Sequence, residues 1–409
     1  MVTGLRITFA VLLTAIAVIC QPAAAGRIGD GEPDRILIAD PSPALVRSLS
    51  GKGFRTESTE RLEALNLSLT IVLPPRQVSA ARAIRDLESA FPDALMALDD
   101  PFRPADDGQS RRSEGPAHDV LSAIDWPPDD SAAGAGMRVG IIDSALDSAH
   151  PALRNARIVE RSFTSGKAPA TDTAHGTAIA SMLVGESNDR SVSGLLRGAH
   201  LHYASIFQIS GRGAKASSAD FLRAIDWMLK SGVTVINASI TSPNRNPVVL
   251  YAMSMLEHKQ AIVVAAAGNG GPSAPPVYPA AIDSAFAVTA VSTEGYAYPY
   301  ANVGAYIDIS APGIDLPTTS RKVTSGTSLA VPFVTAAVAR MVHLCGLSPK
   351  AAQSNLQAHA RDLGARGWDS HFGWGLLQAP RCDAHAGRPI DAGAGPRPPA
   401  PLDAQRVAR

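Results

Sequence analysis

Cysteine is scarce: Cys20, Cys345 and Cys382 are the only three in 409 residues. Cys20 lies in the N-terminal apolar run, so removal of that run leaves one pair and room for one disulfide in an oxidising compartment. Whether Cys345 and Cys382 bond or stay as two partly buried thiols is a matter of geometry. Excess charge is missing as well. Lys plus Arg and Asp plus Glu both number 37, for zero net charge and a pI near 7.2. That balance removes the electrostatic basis for a nucleic-acid partner. Beyond the N-terminus no stretch reads as long and apolar enough to span a bilayer, so no membrane span is expected in the mature chain. No Asp-rich loop has calcium-ligand spacing, so the sequence does not indicate a structural calcium but leaves it open, and no other cofactor is expected. What remains is a soluble globular composition, in a chain long enough for more than one domain.

Residues 1–25 carry a lone Arg6, an apolar run from Ile7 to Cys20, and then Ala23, Ala24 and Ala25. This is the pattern of a secretory signal cut after Ala25, which predicts a secreted or periplasmic protein. A membrane anchor is the alternative, but the run is shorter than the roughly 20 apolar residues of a spanning helix. Bulky Ile19 stands where a lipoprotein signal carries a small residue, against a lipid anchor on Cys20.

Residues 26–104 read as a small α+β module of βαβ type. Strands are predicted at Arg35–Ile38 and Leu67–Leu73, with one helix through Leu45 and Leu49 and another through Ala80, Ile84, Leu87 and Phe91. Arg103 to Gly115 is polar and rich in breakers, which predicts an exposed, cleavable linker. Residues 105–136 are therefore assigned to the linker and the start of the mature chain. From 137 to 382, apolar runs alternate with helical patterns, the signature of a doubly wound, mostly parallel α/β sheet. Strands are predicted at Arg138–Ile142, Leu201–Phe207, Val233–Asn237, Ala261–Ala266, Phe286–Val291 and Ile307–Ile309, and helices at Ala219–Lys230 and Val248–Lys259. The tail, 383–409, is rich in Pro, Gly and Ala and has no apolar period, which predicts disorder.

Open parallel sheets place their sites beyond the carboxyl ends of the strands. Asp143 follows such a strand in VGIIDSALDSAHP, where a turn or helix cap is its ordinary role. His175 falls in the first turn of a helix in DTAHGTAIASMLVG, with Asp172 or Thr173 as candidate cap. A lone His is usually a surface or core residue. Ser328 opens a long helix in VTSGTSLAVPFV, where the helix dipole favours a nucleophile but a capping Ser is common. Pro332 inside that helix argues for a break. Taken together they supply the acid, base and nucleophile of acyl transfer in the order Asp, His, Ser. Chymotrypsin-like chains and α/β-hydrolases use other orders, and subtilisin uses this one.

At these residues the chain resembles the subtilase family, through GIIDSALDSAHP, HGTAIASMLVG, AAAGNGGP and SGTSLAVPFV in that order. The resemblance implies a subtilisin-like fold and a serine endopeptidase with Asp143, His175 and Ser328 as triad. It also implies an oxyanion hole from the Asn269 amide and the Ser328 N–H, and tolerance of Pro332. Substrate is expected to pair as a strand with segments near Ser239, Ile240 and Thr241 and near Ser210 to Gly213, with Ala266, Ala267, Gly268 and Val277 around the specificity pocket. Val277, where several members have Gly, predicts a shallow pocket. By position and pattern the 26–104 module resembles a subtilase propeptide, an inhibitor and folding template; a permanent accessory domain is the alternative. The expected partners are polypeptide substrates and the chain's own propeptide, with the enzyme a monomer. Two other readings share these residues: a non-catalytic binding protein on the same fold, and an esterase or acyltransferase.

Overall fold

The structure, a computed structural model, describes residues 34–105, 110–111, 120–127, 134–164, 172–186, 192–210, 213–319 and 323–382. The predicted signal segment and the predicted disordered tail after Cys382 lie outside the described residues. The described residues fall in one compact unit.

The N-terminal module runs β1 (Ile36–Ala39), α1 (Pro43–Gly51), β2 (Arg55–Leu62), β3 (Leu67–Leu73), α2 (Ala80–Ala90), β4 (Leu95–Leu98). Ser42 and Ser79 accept from the third backbone N–H beyond them and so cap α1 and α2. The sheet order is β2-β3-β1-β4 and every pairing is antiparallel. The βαβ expectation is corrected here: the polar strand β2, RTESTERL, shows no apolar alternation and was not predicted, and with it the module becomes βαββαβ. Leu45, Leu49, Ile84 and Leu87 of the helices pack with Ile36, Ile38 and Val72 on one face of the sheet. Leu37, Leu67, Leu69 and Ile71 on the other face join the core beyond the module.

After the module come β5 (Pro101–Pro104) and β6 (Ser110–Arg111), and then the larger sheet with its helices. In chain order these are β7 (Arg138–Asp143), β8 (Arg157–Ser162), α3 (Ala174–Val184), β9 (His200–Ser205), β10 (Gln208–Ser210), β11 (Gly213–Ser217), α4 (Ser218–Lys230), β12 (Val235–Ala238), β13 (Ile240–Thr241), α5 (Pro247–His258) and β14 (Ile262–Ala266). The chain continues through β15 (Ala285–Val291), β16 (Ile309–Pro312), β17 (Leu316–Pro317), β18 (Val323–Thr324), α6 (Thr327–Leu344) and α7 (Pro349–Ala358). Seven parallel strands line up as β16-β15-β14-β12-β7-β9-β8. Alternate side chains divide the core: Val139, Ile141, Val264 and Val288 meet α3 and α6, while Ile142, Ile236, Val263 and Ala287 meet α4 and α5. This is the predicted doubly wound class. The last predicted strand, Ile307–Ile309, is displaced to Ile309–Pro312 because Ile307 and Asp308 lie in the approach to it.

Two expectations about the rest of this region are settled. Cys345 and Cys382 form a disulfide. Helix α6, with a mean hydropathy of 1.4, is long and apolar enough to cross a membrane, contrary to the sequence reading. Its 83% burial marks it as a core helix, apolar all round because sheet and helices surround it.

The module sits on α4 and α5. Asp226 of α4 accepts from the backbone N–H of Ala64 (2.7 Å) and Leu65 (3.2 Å), and Arg223 pairs with Glu60. At the end of the module, Asp99 accepts from Ala219 N at 3.1 Å, in the first turn of α4, and pairs with Arg35 at 2.5 Å. Asp100 accepts from the Asn244 side chain at 2.8 Å. Burial pushes Asp99 up to about 6 although Arg35 is beside it, and burial also raises Asp100 and Asp220. A carboxylate raised in the folded state binds a proton there that the unfolded chain does not. Its contribution to stability therefore grows as pH falls through about 6 and levels off below the ordinary value of 3.8. Urea midpoints between pH 7 and 4 should show this gain, and Asp99→Asn should flatten it; an unchanged slope in the variant contradicts the assignment.

Candidate active site

Asp143 is the last residue of β7 and has no exposed surface. One oxygen, Oδ1, accepts from Ser144 N at 2.6 Å and meets His175 Nδ1 at 2.8 Å. His175 stands in the first turn of α3, as expected, but Thr173 makes no side-chain cap; Asp172 accepts from Ala174 N at 3.0 Å. The helix can come this close to the strands because Gly176 follows. A Cβ there would fall 2.0 Å from Tyr203 Oη and 2.7 Å from the Ala145 carbonyl. Tyr203 donates to the Ser144 carbonyl at 2.8 Å, and burial together with the Asp143 carboxylate holds its hydroxyl well above the ordinary value, so it remains a donor. A fixed, buried carboxylate on Nδ1 leaves Nε2 as the ring nitrogen that can exchange a proton.

Ser328 is the second residue of α6 and is buried. It is not the cap: Gly326 holds that position without a side-chain bond. Pro332 removes the N–H that would reach the Ser328 carbonyl. Ser239 Oγ supplies the missing donor at 3.2 Å, and Asn237 Nδ2 in turn donates to Ser239 Oγ at 3.0 Å. Thr335, about two turns along α6 from Ser328, donates to Asn237 Oδ1 at 3.2 Å. All four residues are buried, so the relay ties the start of α6 to the strand β12 and the residue after it. Neither Asn237 nor Thr335 was singled out in the sequence.

Asn269 lies beyond β14, after Ala266, Ala267 and Gly268. Its Oδ1 accepts from both Thr327 N (3.0 Å) and Thr327 Oγ1 (2.9 Å), which fixes the carboxamide orientation. The Nδ2 end is thereby turned outward, where it donates to the Ala105 carbonyl. A Cβ on Gly326 would stand 3.2 Å from Asn269 Nδ2 and 3.4 Å from Ser328 Oγ, so the two groups border one small space that glycine keeps open. Thr327 belongs to the motif read in the sequence, but its orienting role was not.

The side chains of Ala266 and Ala267 lie in the core clusters, whereas Gly268, at φ +102°, borders the site. A Cβ on Gly268 would meet Asn302 Nδ2 at 2.9 Å and Val277 Cγ2 at 3.0 Å. Asn302 binds this loop together: its N–H donates to the Gly268 carbonyl, its Nδ2 to the Pro275 carbonyl, and its Oδ1 accepts from Gly270 N. It lies in no motif and was missed.

Between these groups runs the chain's own β5, antiparallel to β11 on one side and to β13 on the other. Ile240 and Thr241 pair with Pro104 and Arg103, and Ala105 N donates to the Ser239 carbonyl at 3.0 Å. On the other side the partners are Ala216 and Ser217, at the far end of β11 from the Ser210–Gly213 stretch expected. The exposed-linker expectation for Arg103 to Gly115 is corrected at Ala105, which is 4% exposed, while Arg103 is exposed as expected and residues 106–109 and 112–115 lie outside the described residues. A cavity of about 820 Å³ lined by Arg245, Tyr251, Glu257 and Lys350 lies elsewhere, against α5. Among the described residues no cluster of three His, Cys, Asp or Glu side chains is placed to hold a metal.

The relay makes a stability prediction. Ser239→Ala leaves the buried Ser328 carbonyl without its donor, at a cost of about 1 to 3 kcal/mol. Pro332→Ala restores the helix N–H, so the double variant should recover part of that loss in urea unfolding. Additive losses contradict the substitution of one donor for the other.

Comparison with known proteins bears on the whole arrangement. Subtilisin DY of Bacillus licheniformis is 31% identical over 254 residues, 60% of this chain and 89% of that protein. Minor extracellular protease Epr of Bacillus subtilis (strain 168) is 28% identical over 254 residues, 60% of this chain and 38% of that protein. Among solved structures, fervidolysin from Fervidobacterium pennivorans, a keratinolytic enzyme related to subtilisin, superposes with a TM-score of 0.70 at 18% identity, over 86% of this chain and 61% of that one. At that identity the likeness speaks for the fold alone. The Subtilase family profile matches residues 134–375, a span that holds Asp143, His175, Asn269 and Ser328, and the chain therefore belongs to the subtilase family.

Proposed function

We propose that this chain is a secreted serine endopeptidase, made as a zymogen that processes itself. The observation that carries the reading is a peptide carbonyl, that of Ala105, held by the side-chain amide of Asn269 beside Ser328. In this reading Ser328 Oγ attacks the scissile carbonyl carbon while His175 Nε2 takes its proton. His175 then returns that proton to the leaving amine, and Asp143 holds the ring and stabilises its charged form. Asn269 Nδ2 and the Ser328 N–H stabilise the oxyanion, and water hydrolyses the acyl-enzyme by the reverse proton path. Pairing of a strand on both sides, as with β5, favours peptides over simple esters.

Secretion is supported by the apolar N-terminal run with its small-residue end, by the Cys345–Cys382 disulfide, which suits an oxidising compartment, and by a relative whose name places it outside the cell. The zymogen reading is supported by the module's seat on α4 and α5, which carries its continuation into the groove. The chemistry requires no cofactor.

Two variants test this. Ser328→Ala should accumulate with the N-terminal module attached, in a host without other secreted proteases, while the parent loses it at a rate independent of protein concentration. Identical processing of both contradicts self-cleavage. Asn269→Ala should lower turnover far more than KM, by roughly 10² to 10³, the loss found on removing the corresponding donor of subtilisin. Parent-like turnover removes Asn269 from the reaction.

A further inference from the structure

Resting on the endopeptidase reading, we infer that the bond on the carboxyl side of Ala105 is the one this chain cuts in itself, and that the enzyme selects an aromatic residue three positions before Ala105's equivalent and a small residue at the cut.

Register assigns the bond. Four residues, Pro101 to Pro104, are paired in β5, Ala105 N donates to the Ser239 carbonyl, and the Ala105 carbonyl alone receives the Asn269 amide. Downstream the chain is held again: Ser110 and Arg111 pair with Thr324 and Val323 of β18, the strand just before Gly326 and Ser328. The same chain is thus fixed on the acyl side and on the leaving-group side of one stretch. A slip of one residue would turn every side chain to the opposite face, exposing Phe102 and burying Arg103.

Selectivity follows from which side chains are enclosed. Phe102 is 1% exposed and stacks on Phe221 of α4 with ring centroids 4.8 Å apart, in the same apolar cluster as Ile240. Arg103 is exposed. Ala105 is buried beside the amide of Asn269, where Val277 and Asn302 already crowd the face of the neighbouring Gly268. An apolar ring at the first position is therefore favoured by burial, and bulk at the last is opposed by packing.

The step balances as a hydrolysis. Ser328 Oγ bonds to the Ala105 carbonyl carbon and the bond from that carbon to the nitrogen of residue 106 breaks. The hydroxyl proton passes through His175 to that nitrogen. Water then adds to the acyl carbon and the bond from that carbon to Ser328 Oγ breaks; one proton of the water passes through His175 to Ser328 Oγ and the other is lost to solvent, which leaves Ala105 with a carboxylate.

N-terminal sequencing and intact mass of the first processing product of the full chain should give a mature protein starting at Asp106. A peptide of residues 100 to 109 should be cut after Ala105 by the processed enzyme. Phe102→Ala in that peptide should lower kcat/KM by about 10- to 100-fold, the effect of one buried aromatic ring. Ala105→Phe should lower it comparably, and Val277→Gly in the enzyme should restore part of that loss. The peptides make the result independent of whether precursor variants fold. A first cut at another bond, or indifference to Phe102→Ala, overturns this inference and leaves the endopeptidase reading standing. Absence of any cleavage by folded protein freed of its module overturns the reading beneath it.

Discussion

The arrangement of the site depends on one side-chain amide that has been left a single way to point. Asn269 spends its acceptor on two bonds from Thr327, at the first turn of α6, so its donor end faces the space bordered by Ser328. An exposed amide turns freely and its orientation costs entropy when something binds. Here the orientation is fixed by bonds that do not involve the carbonyl the amide holds, and the fixing residue is the immediate neighbour of the proposed nucleophile. A rigid donor aimed at one point is worth more to a developing charge than to a ground-state carbonyl.

A strand fills the rest of the groove. β11 and β13 do not pair with each other; each offers its edge to β5. The two edges are held by different means. β13 follows β12 of the parallel sheet and is tied through Ser239 to the helix of Ser328, whereas β11 leads directly into α4, the helix on which the module rests. Module seat and groove wall are thus continuous in the chain. Asp99 and Asp100, between β4 and β5, bond to the first turn of α4 and to Asn244, so the last residues of the module set the register with which β5 enters.

Much of this could be read in the sequence because the informative residues are tied to strong local patterns. The buried runs gave six of the seven strands of the parallel sheet, five of them to within two residues, since a strand covered on both faces is apolar throughout; β8, Arg157–Ser162, was missed because its RIVERS sequence lies mostly exposed at the sheet edge. Asp143, His175, Asn269 and Ser328 each end or follow a strand or open a helix, where open sheets collect their chemistry. Strand β2 was hidden because its RTESTERL sequence lies largely exposed and has no period. The threaded segment was hidden for the opposite reason. PFRPA is short and contains two prolines, and the predicted linker begins inside it at Arg103; only the partners on either side make it a strand. Thr327, Asn302 and Asn237 act by bonding across the fold, which no spacing along the chain records.

The central claim is that Ser328 is an activated nucleophile, raised above an ordinary buried serine by His175 and Asp143. Labelling of the processed protein with a fluorophosphonate, followed by peptide mapping, asks this directly. The account predicts one adduct, on Ser328, and its loss in a folded His175→Ala variant. Folded, processed protein that takes no label, or takes it on another residue, would contradict it.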